Sequence, residues 1–442
     1  MLRHPLAIAL VLALAPFAAQ ADDLMQSYQN ARNSDPQFAQ AESARLISAE
    51  RPVIARSVLL PSIGGSIGTT RYNNAAGTSR TGSWGVNLQQ TLFNYGDISN
   101  LRGAKAQDRA GGYTLAAAGQ NLITRTSAAY FNVLVQMETL TAAEAAEAAA
   151  KKQFDYASKR LEVGLAPITD VHEARAQYDG ARANTLLARN AVQDAYQALV
   201  EITNAPVATL KGLPDDFKPS LPSERSAADW VNEALASNPT LQAQQANLEA
   251  AEANVATARS NHYPTLGLHA SYGKALTGLY DPPFIGSNHA TTSVGLTLSI
   301  PIFSGFSVQS GVRTALAQRD SAADMLEQTR RSIERSTRSA YQAVVTGITE
   351  VEARRLEVVS AQSAYDASQV GLEVGTRTVL DVLNNQRILF SAQQAYAQAK
   401  YSFLQSRLLL EQSAGSLDVA DLEDINRLLT ADKPIDPALS AR

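Results

Sequence analysis

Five histidines, no cysteine and 42 carboxylates in 442 residues set the limits on what chemistry this chain could do. Without cysteine there is no disulfide, thiolate metal site, thiol nucleophile or lipidated N-terminal cysteine. Gly64-Gly65-Ser66-Ile67-Gly68 fits the G-x-S-x-G pattern, but that nucleophile needs a strand-to-helix turn and these residues read as the interior of a strand. The stretch from Gly267 to Gly273-Lys274 is one residue too long for a phosphate-binding loop and is followed by Ala275. His172-Glu173 would need a histidine at 176 to bind zinc, and Ala176 is there. His262, His269 and His289 sit beside or within strand-like segments without ligand spacing. Arg330, Arg331, Arg335 and Arg338 alternate with Glu327 and Glu334 as on a solvated helix face. No enzyme, cofactor or metal is expected. A net charge of −4 also excludes a nucleic-acid partner, which would require a basic surface.

The remaining candidates lie in two matching segments, Arg160 to Pro167 and Gly371 to Arg377. Each holds a Val-Gly pair, Val163-Gly164 and Val374-Gly375, of the kind that ends a helix in a left-handed residue. Each is followed by an acid, Asp170 or Asp381, where the N-terminus of a new helix favours negative charge.

These segments match because the chain is a tandem duplication. Asn33–Pro36 corresponds to Ala236–Pro239 at an offset of 203, and Gly85–Leu88 to Gly295–Leu298 at 210. Ala129-Tyr130 meets Ala340-Tyr341 at 211, as do both Val-Gly pairs and Asp170-Val171 with Asp381-Val382. The seven extra residues fall between 275 and 291, around Asp281-Pro282-Pro283, where a loop tolerates insertion. The sequence predicts a first repeat over 22–225: a helix over 23–57, a strand hairpin over 61–94, a long helix over 97–162, a helix over 170–203 and a linker. It predicts a second over 226–430: a helix, a hairpin over 264–303, a long helix over 307–372, a helix over 381–414 and an equatorial segment, with a tail over 431–442.

The strand segments alternate, with Val294, Leu296, Leu298, Ile300 and Ile302 against Ser293, Gly295, Thr297 and Ser299. Each long helix runs without proline for 66 residues, roughly 100 Å at about 1.5 Å per residue. Val344, Val351, Val358, Tyr365 and Leu372 form a heptad row along the second. Two short helices then stack end to end beside each long one, with the proline-rich 204–226 and the C-terminal segment as a belt at that junction. Four strands cannot close a barrel, since small bacterial barrels need eight, but three chains would supply twelve. Tyr72, Trp84 and Tyr272 fall at one end of the strands, and Phe93, Tyr95, Tyr263, Phe303 and Phe306 at the other, as interfacial girdles do. Residues 1–21, with Arg3, an apolar run and Ala19-Gln20-Ala21, read as a cleaved export signal. A non-conducting trimeric adhesin or coiled-coil envelope scaffold is the alternative.

Ala129-Tyr130-Phe131-Asn132-Val133-Leu134, Ile168-Thr169-Asp170-Val171 and Val374-Gly375-Thr376-Arg377-Thr378 resemble the TolC family of outer-membrane efflux and secretion channels. The resemblance covers 22 to about 430. It implies a mainly α fold with a small β part, in which four strands per chain join a trimeric 12-strand outer-membrane β-barrel continuous with a 12-helix periplasmic α-barrel. It implies a homotrimer set in outer-membrane lipid and reaching into the periplasm. The partners implied are a periplasmic adaptor (membrane fusion) protein and an inner-membrane RND or ABC transporter. By the same resemblance Val163, Gly164, Val374 and Gly375 meet the adaptor, Asp381 and Asn384 ring the periplasmic entrance, and Arg377 ties to Thr169 and Asp170 to hold it shut. The family carries a second acid where this chain has Asn384, and a tyrosine in the latch where it has Leu372. A less cation-binding entrance and a looser closed state are therefore expected.

Overall fold

The computed structural model describes residues 23–74, 77–165, 167–207, 209–214, 216–221, 225–276 and 289–435. The expected export signal lies outside these residues, as do most of the expected insertion and the end of the tail. Each half opens on two helices rather than one, α1 (Leu24–Ser34) with α2 (Pro36–Ser57), and α5 (Ala227–Ser237) with α6 (Pro239–Ser260). The expected single helix over 23–57 is thus broken at Asp35, which a following proline holds in extended backbone (φ −67°, ψ 117°). Asp35 then caps α2 by accepting from the Phe38 N–H at 2.8 Å. Asn238 does the same for α6, accepting from Thr240 N–H at 3.0 Å.

Strands β1 (Ser62–Asn74) and β2 (Gly77–Phe93) follow α2, and β4 (Thr265–Ala275) and β5 (Thr291–Ser299) follow α6. They form one antiparallel sheet in the order β1-β2-β4-β5. The first hairpin fills the span expected of it, 61–94, to within one residue at each end. β5, by contrast, stops at Ser299, two residues before Pro301, which has no N–H to offer the ladder. Two long helices leave the sheet, α3 (Tyr95–Glu162) of 68 residues and α7 (Ser307–Glu373) of 67. Each turns back into a helix of 36 residues, α4 (Ile168–Thr203) and α8 (Val379–Ala414).

In the sheet-proximal half the helices lie in the order α2, α3, α6, α7, and in the distal half in the order α4, α3, α8, α7. The two halves meet end to end. Ser34 Oγ donates to the Thr203 carbonyl at 2.8 Å, and Ser237 Oγ and Asn238 Nδ2 donate to the carbonyls of Ala414 and Ser413, both at 3.0 Å. Around this junction the connecting segments wrap as β3 (Thr209–Gly212), which pairs antiparallel with β6 (Ala431–Pro434), and α9 (Val419–Leu428). The principal core sits here, built from Leu122, Tyr130, Phe131 and Leu134 of α3, Leu199 of α4, Phe403 and Leu404 of α8, and Leu210 and Leu213 of the belt.

Several charged and hydroxyl groups buried at this level are paired across elements. Arg125 reaches the nearly inaccessible Asp35 at 2.5 Å, and Lys400 reaches Glu138 at 3.2 Å. The Tyr401 hydroxyl donates to Glu138 at 3.0 Å and accepts from the Leu213 N–H. These contacts tie α3, α8 and β3 into one block, and breaking a buried pair from one side is costly because the other charge stays buried.

Gly415 ends α8 at φ +81°, and a Cβ there would come within 2.5 Å of the Asn238 Cα. Gly415→Ala should therefore destabilise by more than the roughly 1–2 kcal/mol of a left-handed residue alone, read as an earlier thermal loss of helical circular dichroism. An unchanged transition would mean that this junction is not closed.

Candidate functional site

The two α-to-α turns form the end of the molecule farthest from the sheet. At the first, Gly164 stands at φ +75° with its N–H on the Leu161 carbonyl (2.9 Å) and the Leu165 N–H on Arg160 (2.8 Å). At the second, Gly375 stands at φ +78°, with Thr376 N–H on the Gly371 carbonyl (2.8 Å). Both are Schellman-type ends that satisfy the last carbonyls of the long helices. Val163 and Val374 beside them are about two-thirds exposed, so each turn presents an apolar knuckle to solvent.

The turns differ in how the next helix starts. Pro167 begins α4 without a side-chain cap, and among the described residues no hydrogen bond or ion pair engages the Asp170 carboxylate. Thr378 and Asp381 instead close a capping box at the start of α8. Thr378 N–H and Oγ1 donate to the Asp381 carboxylate at 2.9 Å each, and Asp381 N–H donates back to Thr378 Oγ1 at 3.2 Å. The Thr378 N–H, its hydroxyl and the charge of Arg377 together hold the Asp381 carboxyl below its ordinary range.

Arg377 folds back so that its stem lies across Gly371, where a Cβ would meet its Cγ at 2.6 Å. Within one chain it does not reach Thr169 or Asp170. Leu372 is buried with Val379, Val382 and Leu383 beneath Tyr365, where it packs the turn. Asn384 is exposed, and its side-chain Oδ1 accepts from the Arg387 guanidinium at 3.1 Å. Sequence reading passed over Arg387, although its i+3 spacing from Asn384 carries that signal.

At the opposite end the sheet has two chemically distinct faces. Directly opposed residues in an antiparallel ladder share a face, so Ile63 with Leu88, Ile67 with Trp84, Leu268 with Leu296 and Leu266 with Leu298 form one apolar surface. It is solvent-exposed in the single chain, Ile63 at 71% and Leu296 at 66%. The other face is small and polar: Gly64 with Asn87, Ser66 with Gly85, Asn87 with Ser271, Gln89 with His269, and Gly267 with Thr297. Ser66 is thus a mid-strand residue, with no elbow. Trp84 and Tyr272 meet edge to face at 5.7 Å near the far end, and Tyr95–Tyr263 and Phe303–Phe306 pair at 5.5 and 5.6 Å where the helices begin. The side chain of Tyr72 lies outside the described residues. No helix among the described residues is long and apolar enough to cross a membrane.

The sequence matches the outer membrane efflux protein family over residues 27–205 and 230–416, most of both repeats. The chain belongs to that family. It is 35% identical to outer membrane protein TolC of Escherichia coli (strain K12), covering 98% of this chain and 89% of that one. It is also 28% identical to the alkaline protease secretion protein AprF of Pseudomonas aeruginosa, over 90% and 86% of the two chains. The CmeC outer membrane channel of Campylobacter jejuni superposes with a TM-score of 0.77 at 20% identity, covering 93% of this chain and 90% of that one. Membership makes this an outer membrane protein that reaches into the periplasm, a channel and not an enzyme. It also accounts for the unusual combination of an exposed apolar sheet and helices of roughly 100 Å.

Because the Asp381 carboxyl is depressed, its hold on the start of α8 is complete above the ordinary aspartate range and is lost as pH falls through the lowered value. Thr378→Ala should loosen that first turn about fivefold at neutral pH, the worth of an N-cap hydroxyl, and move acid loosening to higher pH. Limited proteolysis at the tip across pH reads both effects. An unchanged profile would remove the capping box from the account.

Proposed function

We propose that three chains close edge to edge into one continuous duct that carries cargo from the periplasm through the outer membrane. The observation that carries this reading is that every layer of the single chain ends in two different open edges. Among the described residues β1 pairs only with β2, and β5 only with β4. In the helical layers α2 or α4 lies at one edge and α7 at the other. The α2 edge exposes Leu46, Ile47, Val53 and Ile54, two pairs seven residues apart, and α7 exposes Leu356 and Val359. Exposed apolar residues at heptad spacing call for a helical partner. Unlike edges joined head to tail generate a ring, and three copies give twelve strands, an even number suited to a bilayer barrel. The apolar face then meets lipid and the Gly, Ser, Thr, Asn and Gln face lines the lumen.

In this ring α4 of one chain neighbours α7 of the next. Arg377, at the end of α7, then stands beside the uncommitted Asp170 and Thr169 of its neighbour. The latch is therefore an inter-chain contact. An Arg–Asp link is directional yet weak when wet, so a docking partner can break it. Leu372 keeps the α7–α8 turn packed but adds no hydrogen bond to the latch, and a looser closed state follows.

The chain supplies no energy source. Duct opening falls to a periplasmic adaptor and an inner-membrane transporter of the RND or ABC type, in a tripartite efflux pump, a type I secretion system or both. The Val163-Gly164 and Val374-Gly375 knuckles fit as docking points. So does the groove of about 630 Å³ between α4 and α8, floored by Ala143 and Ala146 and flanked by Arg387 and Phe390. The likeness to TolC and AprF supports both uses.

Protein extracted from outer membranes should conduct in planar bilayers, and Arg377→Ala should raise the resting conductance. Divalent or trivalent cations should block weakly, because Asn384 and Arg387 stand where a second acid ring would strengthen binding. No conductance would favour a scaffold or adhesin. Unchanged resting conductance in Arg377→Ala would place closure elsewhere.

A further inference from the structure

The four strands of the membrane sheet contain no Asp or Glu. They do contain three permanent cations, Arg71, Arg80 and Lys274, all exposed. Arg71 and Arg80 are direct ladder partners, and Lys274 is the direct partner of Trp84. The β1–β2 register runs unbroken from Ser62/Gln89 to Asn74/Gly77. Arg71 therefore shares the face of Ile63 and Ile67, and Arg80 that of Trp84 and Leu88. All three cations project from the apolar face, none from the lumen face. They also share one end: Lys274 is level with Trp84, and the two arginines stand four residues, about 13 Å, beyond it. The strand ends next to the helices carry no ionic side chain.

Like charges directly opposite each other destabilise a ladder, and among the described residues no carboxylate pairs with any of the three. The arrangement therefore calls for an anion from outside the chain. We propose that Arg71, Arg80 and Lys274 form a binding site for the phosphate groups of phosphorylated lipid in the outer leaflet. This inference rests on reading the apolar sheet face as the lipid-facing wall of a barrel whose helices point into the periplasm. The cations then stand at and beyond the outer headgroup level marked by Trp84 and Tyr272. Guanidinium groups engage phosphate oxygens in pairs. The site is an open face rather than a cavity, so a free phosphate ion would stay hydrated there. A lipid is additionally held by its acyl chains against Ile67, Val86, Leu88 and Leu296 just below. In a ring of three chains the motif recurs three times and coats the rim with nine cations, securing the duct to the outermost layer of the membrane.

The test uses the full-length channel in mild detergent, mixed with bisphosphorylated lipid A or with its fully dephosphorylated form. Retained lipid is counted by native mass spectrometry, and conductance is recorded on the same preparation. Phosphorylated lipid should be retained preferentially. Arg71→Gln, Arg80→Gln and Lys274→Gln together should abolish the preference, at roughly fivefold for each cation removed. Millimolar inorganic phosphate should not displace the lipid. Equal retention of the two lipids by the wild-type channel overturns the inference without reliance on any variant, and displacement by inorganic phosphate overturns the choice of lipid. If the channel conducts but shows no preference, this inference falls and the duct stands. If it neither conducts nor partitions with outer membranes, the duct reading falls and takes this one with it.

Discussion

Everything in this chain follows from two strand edges that cannot be left open. A four-stranded sheet with an apolar face belongs in a bilayer, and a bilayer offers no water to satisfy the N–H and C=O groups along the outer edges of β1 and β5. Among the described residues this sheet has no fifth strand to cover them. The edges must find each other on other copies, and the helices below must be built to the same ring. That explains the unlike edges α2 or α4 and α7, and the exposed Leu46, Ile47, Val53 and Ile54, which make no sense on an isolated chain.

The long helices carry that geometry down to the tips. They are rich in alanine, which lets neighbouring helices approach closely enough to form a wall. Wall and tip need a fixed reference between them, and the belt provides it. The Asp35–Arg125 and Glu138–Lys400 pairs and the Tyr401 hydroxyl bonds lock α3 and α8 at mid-length. Motion can then be confined to the distal half. There the first turn of α8 is fastened by Thr378 and Asp381, while α4 starts uncapped at Pro167. This asymmetry frees Asp170 for a partner and commits Asp381 to its own helix. Both cap bonds go to one oxygen of the Asp381 carboxylate, and the other stays free of the cap.

Much of this was legible in the sequence because the duplication doubles each signal and the strand alternation is unusually clean. What was not legible has particular causes. The helix break at Asp35 was hidden because period alone runs straight through Pro36, whereas the proline constrains the residue before it. The register shift between Thr91 and Phe93 cannot be read from alternation, which continues at period two where the ladder does not. The burial of Leu372 with Val382 and Leu383 is not visible from its place in a motif. Arg377 and Asp170 read as partners, yet one chain keeps them apart, because pairing by motif does not say which copy supplies each side. In the proposed ring the arrangement of open edges would supply that.

The central claim is ring closure through unlike edges, and the absence of cysteine allows it to be tested without background. Ser66→Cys on β1 and Thr297→Cys on β5, combined in one chain and treated with a short bifunctional thiol reagent in intact outer membranes, should give covalent products that stop at three chains. Each single variant alone should give almost none, since like edges do not meet. Products that stop at two chains, a ladder continuing past three, or equal cross-linking by the single variants would contradict a three-chain ring closed β1 to β5.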